Sequence, residues 1–208
     1  MRLLLGGGRG SGNAGHRGRP GKLGGSSPKK TLSNFIEFDD TQKGRKESEK
    51  FGKQNIRNRE IFFAQRKALE DYQETEHLWI NGLLRGNNMP KNATFKQLLR
   101  NKIERLDQAM GGVSKNFVVY RGVTESVFNK IIKKDRFGDK GFVSTSLHFS
   151  NAFSNANHVL KIEVPKGTPA YYLGKDFGKD ESEVLLARNL KFRVKGIYPN
   201  TALLEVIQ

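Results

Sequence analysis

Phe117-Val118-Val119-Tyr120-Arg121-Gly122 is where this chain changes character. Before it, apolar residues recur at helical spacing. Ile61, Ala64, Ala68, Leu69 and Tyr72 share one helical face, and Trp79, Ile80, Leu83 and Leu84 share another, ended by Gly86. Phe95, Leu98, Leu99, Ile103, Leu106 and Met110 form a longer stripe, stopped by Gly111-Gly112. After it, strand patterns dominate. His158, Leu160, Ile162 and Val164 alternate with other residues at period two. Phe142-Val143, Tyr171-Tyr172, Val184-Leu185-Leu186, Phe192 to Ile197 and Ala202 to Ile207 read as further strands, the last two joined by a Pro199-Asn200 turn. Val127, Phe128, Ile131 and Ile132 suggest one helix among them. Helices first and strands second predict an α+β fold: a helical N-terminal lobe on a mixed β-sandwich core.

Composition divides the chain further. Residues 1–34 carry seven Lys and Arg, no acid and many of the glycines, so they cannot bury enough apolar surface to offset ordering entropy. The expected organisation is a disordered basic tail over 1–34, a polar transition without clear period over 35–58, and one domain over 59–208. The net charge is +16, of which the tail supplies seven and the remainder nine. Such a surface attracts nucleic acid, an anionic membrane or a phosphorylated ligand without choosing among them.

Several chemistries are excluded. There is no cysteine, hence no disulfide, thiolate nucleophile or Cys-ligated zinc. His16, His77, His148 and His158 lack metal-ligand spacing, so no metal site is expected and surface or strand positions suit each better. No apolar run approaches a membrane span, and Leu3-Leu4-Leu5 is too short for a signal-peptide core. Gly21-Lys22 is not a phosphate loop: His16 stands where its first glycine belongs and Leu23 where Ser or Thr would bind magnesium. No RNA-recognition or zinc-finger signature accompanies the charge.

Three segments carry polar groups suited to chemistry. Arg121 follows a β run and precedes Gly122, a place from which a guanidinium could fork onto a diphosphate; an ordinary surface arginine fits equally. Ser144-Thr145-Ser146 puts hydroxyls on a strand, where they could fix a carboxylate or simply face water. Glu181-Ser182-Glu183, if extended, puts two carboxylates on one face beside Val184-Leu185-Leu186; an exposed strand edge explains a lone pair as well.

Their order is more informative than any one of them. Arginine at a strand end, then Ser-Thr-Ser, then Glu-x-Glu resembles the arginine–serine–glutamate class of mono-ADP-ribosyltransferases, in particular clostridial exoenzymes and binary-toxin enzyme components. Ile80-Asn81-Gly82-Leu83-Leu84-Arg85-Gly86 resembles that family's N-terminal helix ending in Leu-Arg-Gly, and the resemblance extends over roughly residues 60–207. Ala187 departs from it, a proline being commoner there.

The resemblance implies an NAD-cleaving transferase that labels a protein side chain. Arg121 and Gly122 would lie at the NAD diphosphate, with Asn81, Arg85, Thr145 and Ser146 around the cofactor. Ser144 would position Glu183, and Glu183 would stabilise the cation formed as nicotinamide leaves, as carboxylates do in glycosidases. Glu181 would serve an arginine acceptor, whose pKa above about 12 demands a base; members with Gln there typically modify asparagine. Residues 174–180 would form the acceptor loop, with Phe177 either recognising the acceptor or packing beneath it. The tail, Gly12 to Lys22, resembles linkers of tailed-phage head-morphogenesis proteins. That implies a phage-encoded protein, in the bacterial host cytoplasm or the virion, whose tail contacts capsid or nucleic acid. The alternative it raises is a phage structural protein whose transferase domain is secondary or inactive.

Overall fold

A computed structural model describes residues 34–57, 59–87, 90–153, 156–174, 177 and 182–207. The tail assigned to 1–34 lies outside these apart from its last residue.

Three helical segments precede the sheet. Helix α1 (Gln42–Phe51) is capped by the Thr41 side chain and runs into a π-helical turn, Gly52–Ile56. Helix α2 (Phe63–Asp71) passes through a second π turn, Tyr72–Glu76, into α3 (His77–Arg85), which ends at Gly86 in the left-handed conformation with φ 77°. Helix α4 (Ala93–Ala109) starts at an Asn92 cap and buries Leu99, Ile103 and Leu106 of the predicted apolar stripe, while Leu98 of that stripe is exposed and Met110 caps the helix end. The polar segment 35–58, where no period is legible, is therefore largely helical. Among its described residues, Phe38, Phe51 and Ile56 anchor it in the main core and Phe35 packs on a smaller cluster, too few apolar residues to make a sequence pattern.

The strands are β1 (Gly111–Gly112), β2 (Phe117–Val123), β3 (Arg136–Asp139), β4 (Val143–Ser146), β5 (His158–Val164), β6 (Pro169–Tyr172), β7 (Glu183–Leu186), β8 (Leu190–Ile197) and β9 (Thr201–Ile207). Helix α5 (Glu125–Ile132) follows β2 and the short α6 (Phe149–Phe153) follows β4. The sheet runs β1-β6-β7-β4-β2-β5-β9-β8-β3. All pairs are antiparallel except β5 with β9. The fold is α+β, with helices first and a mixed sheet after, as the sequence predicts.

One joint in this sheet is much weaker than the rest. Strands β2 and β4 meet only at Tyr120 and Ser146, whereas β2 and β5 pair over seven residues. The sheet therefore behaves as two halves, β1-β6-β7-β4 and β2-β5-β9-β8-β3, hinged at one residue pair. Alternating side chains fill the space between them: Phe117, Val119, Leu160, Ile162, Phe192 and Leu204 pack with Val143, Val184, Leu186 and Tyr172. The opposite face of the first half, Phe142, Tyr171, Leu173 and Leu185, packs against Leu69, Tyr72, Ile80, Leu99, Ile103 and Leu106 of the helices. Strand β7 is apolar on both faces for this reason, with one face to each core.

The first π turn docks on this frame through an absence. A Cβ on Gly52 would lie 2.6 Å from the Tyr172 ring. Helix propensity favours alanine over glycine by about 1 kcal/mol, but overpacking a filled core costs about 1–3 kcal/mol. The clash should win: Gly52→Ala should lower the thermal midpoint, as read by circular dichroism, and a raised midpoint would show that Tyr172 yields.

Candidate active site

The site is built where the two half-sheets part. On β2, Arg121 has the same parity as Phe117 and Val119, so alternation sends its side chain toward the space between the halves. There its Nη1 donates to the Ser144 carbonyl at 2.8 Å, across strands that no longer pair. Burial pushes the guanidinium below its ordinary pKa, opposed by nearby Tyr72 and Asp139; an arginine stays charged nonetheless.

Glu183 opens β7, with Ser146 directly opposite on β4 and Ser144 two pairs further, opposite Leu185. These four residues share the face toward the helices. Glu183 is 9% exposed, and its Oε2 accepts a hydrogen bond from Gln73 Nε2 at 2.9 Å. Ser144 meets the Tyr72 hydroxyl, which also accepts from Asn81 Nδ2 at 2.9 Å. Burial drives the Tyr72 pKa upward, keeping the phenol neutral. Thr145 faces away and bonds the Val184 carbonyl at 2.7 Å, stapling β4 to β7. The Ser146 hydroxyl accepts from His148 N and Asn151 Nδ2.

Two adjoining cavities result. One, of about 510 Å³, is lined by Tyr72, Gln73, His77, Asn81, Arg85, Arg121, Ser144 and Glu183, among others. The other, of about 490 Å³, shares His77, Arg121, Ser144 and Glu183 and adds Gly122, Thr145 and Ser146. Eight of the nine site residues expected from sequence thus line one continuous cleft. The ninth, Glu181, lies outside the described residues. Its neighbour Ser182 has φ 46°, so the backbone entering Glu183 is not extended. The simple two-apart geometry that would put Glu181 and Glu183 on one face is interrupted there.

Two expected cofactor residues also do structural work. Asn81 Oδ1 accepts from Phe142 N at 2.9 Å, so this side chain ties α3 to the strand entry as well as to Tyr72. Arg85 makes a two-pronged pair with Asp139 of β3, both bonds 2.9 Å. A Cβ on Gly141 would strike Asn81 Oδ1 at 2.6 Å and Arg85 Cζ at 2.9 Å, and one on Gly122 would meet the Ala152 carbonyl oxygen at 2.2 Å. Phe177 is half-buried, edge-on to Tyr171, with Arg57 and Arg66 over its ring. It packs against the helical core.

The sequence reading missed Tyr72, Gln73, His77 and Asp139. A signal existed for two of them: Gln73, His77, Asn81 and Arg85 recur every four residues, a polar stripe along one helical face. All four line the larger cavity. Among the described residues no group of His, Asp or Glu is arranged to hold a metal, and no helix is long and apolar enough to cross a membrane.

A family model described as ADP-ribosyltransferase exoenzyme matches residues 48–203, most of the chain. The chain belongs to the ADP-ribosyltransferase exoenzyme family. That is a family of NAD-dependent protein ADP-ribosylation, and its model takes in α1's last turn as well as the sheet. Solved structures agree in fold. The ADP-ribosylating toxin BECa of the C. perfringens binary enterotoxin, crystallised with NADH, superposes with TM-score 0.70 at 17% identity, over 83% of this chain and 50% of that one. Plx2a, an ADP-ribosyltransferase toxin from Paenibacillus larvae, gives 0.67 at 19% identity, over 84% of this chain and 100% of that one. C3stau2 from S. aureus, with NAD, gives 0.67 at 18%, over 85% and 100%. This exoenzyme-family chain thus spans half the length of BECa and the whole length of the Plx2a and C3stau2 chains. No curated protein matches it.

His148 supports the cleft from behind. It follows β4 by two residues, is fully buried, and its Nε2 lies 2.7 Å from Ser48 Oγ of α1, with Nδ1 3.6 Å from Asp40. This has the order of a nucleophilic triad, but Ser48 and His148 are both sealed from solvent, so it pins α1 to the β4 exit instead. Burial, aided by Arg45, lowers the His148 pKa from its ordinary 6.5, against the pull of Asp40 and Asp39. The unfolded chain therefore takes the proton first. This contribution to stability is full above about pH 6.5 and is lost as pH falls below it. Unfolding midpoints between pH 8 and pH 5 should fall more in the wild type than in His148→Gln; parallel curves would discount the histidine.

Proposed function

We propose that this chain is a mono-ADP-ribosyltransferase that cleaves NAD and transfers ADP-ribose to an arginine side chain of a protein. The observation that carries the reading is one cleft holding a fixed carboxylate, Glu183, with the Arg121 guanidinium on the same wall. The cleft suits the substrate: its two cavities fall within the usual size of ligand sites, and a diphosphate fits the fork of the half-buried Arg121.

The residues divide the work by charge. Arg121 holds the diphosphate. The bond from ribose C1′ to the nicotinamide nitrogen breaks, its electron pair leaves with nicotinamide, and a cationic ribosyl group remains. Glu183, already fixed before reaction, stabilises that cation without reorganising. The acceptor guanidine nitrogen then bonds to C1′ and releases its proton to Glu181. BECa and C3stau2 were crystallised with NADH and NAD, which supports a dinucleotide in this fold's cleft. The tail's resemblance to phage head-morphogenesis linkers adds a phage-encoded origin to the proposal, with the tail as a docking arm.

Glu183→Gln keeps the shape and removes the charge. It should reduce nicotinamide release from NAD by about a hundredfold or more, the usual cost of losing such a contact. Near-normal release in this variant would sink the mechanism. Glu181→Gln should keep nicotinamide release and lose protein labelling, because water captures the cation with little help whereas a guanidinium cannot attack while it holds its proton. Both are read in one tube with labelled NAD and a bacterial lysate, adducts being mapped by mass spectrometry. Equal loss of both activities would make Glu181 a cofactor residue, and adducts on asparagine would refute the arginine acceptor.

A further inference from the structure

Glu183 receives a hydrogen bond that none of the three strand motifs supplies. Gln73 Nε2 donates to Glu183 Oε2 at 2.9 Å, and both residues are buried. The donor comes from the helical lobe, 110 positions earlier in the chain.

Its reach depends on local helix geometry. Gln73 lies in the π turn Tyr72–Glu76, between α2 and α3. In an uninterrupted α-helix, consecutive side chains diverge by about 100°, because 3.6 residues complete a turn. Here Tyr72 and Gln73 both reach the strands: the Tyr72 hydroxyl meets Ser144 on β4, while Gln73 meets Glu183 on β7. Single π turns inside helices recur at functional sites, and this one puts two consecutive polar groups on adjacent strands.

We infer that Gln73 is a positioning residue for Glu183, setting the rotamer of the carboxylate and holding it ionised. The inference rests on Glu183 being the cation-stabilising group. An amide N–H on a carboxylate favours its charged form, and an amide cannot titrate, so its effect persists at any working pH. Among the described residues, the other charged or titratable groups lining the larger cavity with Glu183 are Arg121 from β2, His77 and Arg85 from α3 and Tyr72 from the π turn, Arg85 being paired with Asp139. Tyr72 is neutral, and His77 becomes a cation only on protonation. Arg121 favours the carboxylate by charge but is held on the Ser144 carbonyl. Gln73 acts on Glu183 through a direct, directional bond.

Two substitutions of similar length make opposite predictions. Gln73→Leu removes the donor. The Glu183 pKa should rise by about one unit and kcat for NAD hydrolysis should fall about tenfold or more, while KM for NAD changes less than about threefold. Gln73→Lys replaces the amide by a charged donor, and the Glu183 pKa should fall below the wild-type value. The pKa is read by carbon NMR of protein labelled at glutamate carboxyls, the Glu183 signal being assigned by its loss in Glu183→Gln. A residue that served only to fill space would disturb both variants alike. Unmoved Glu183 titration in both, or shifts of the same sign, would overturn the inference. If the leucine variant fails to fold, the downward shift in the lysine variant decides. The titration needs no turnover, so a wild type without NAD hydrolysis would refute the functional reading while leaving the bond between Gln73 and Glu183 separately measured.

Discussion

Everything at the cleft depends on β2 and β4 pairing at one residue and then separating. Had they continued as a ladder, the Ser144 carbonyl would be consumed by a backbone N–H and Arg121 would have no place to enter. Because they pair only at Tyr120 and Ser146, the freed carbonyl takes the guanidinium instead. A buried carbonyl without a partner is costly, and a buried cation more so, so each satisfies the other. The notch that exposes Arg121 to a ligand is thus the same feature that anchors it.

The helical lobe completes what the notch begins. Three side chains descend from the α2–α3 segment onto the strands: Tyr72 to Ser144, Gln73 to Glu183 and Asn81 to the Phe142 amide. Arg85 extends the same line to Asp139 in the other half-sheet. The lobe is held by an apolar face of Leu69, Tyr72 and Ile80, fully buried against Phe142 and Leu185. Burial of this kind sets distance, and the polar stripe beside it sets direction. An error of a few tenths of an ångström in the first would be felt by the second, which explains why glycine at 141 leaves no room between Asn81 and Arg85.

Much of this was legible in the sequence, for a physical reason. Strand β9 alternates cleanly, since it has one face toward the core and one outward; β5 keeps Leu160, Ile162 and Val164 on one core face although Val159 on the other is buried too; and α4 shows its stripe because it packs on one side only. Arg121, Ser144 and Glu183 were each ambiguous alone and became legible through the resemblance of their order to the ADP-ribosyltransferase class; Arg121 lies inside β2, two residues before its end. What escaped were elements with weak or double-sided patterns. Helix α1 holds the core through few apolar residues, β3 is Arg-Phe-Gly-Asp with a single inward aromatic, and α6 has only five residues. The left-handed Ser182 could not be foreseen, since serine is not a residue that announces positive φ. Gln73 escaped because an apolar helix face was the stronger signal at that point, and the polar stripe beside it reads as solvent-facing until the strands are in place.

Ser182 also bears on how Glu183 is held. A non-glycine residue at φ 46° costs of order 1–3 kcal/mol and persists only where surrounding contacts impose it. Here the residue is buried, and its carbonyl accepts from Leu147 N at 3.1 Å, continuing the β4–β7 pairing past Glu183. The chain is therefore turned just before Glu183 while the strand register is kept. Glu183 thereby gains a fixed place in the ladder, opposite Ser146. A side chain that must stabilise a developing charge without reorganising belongs on a backbone held in this way.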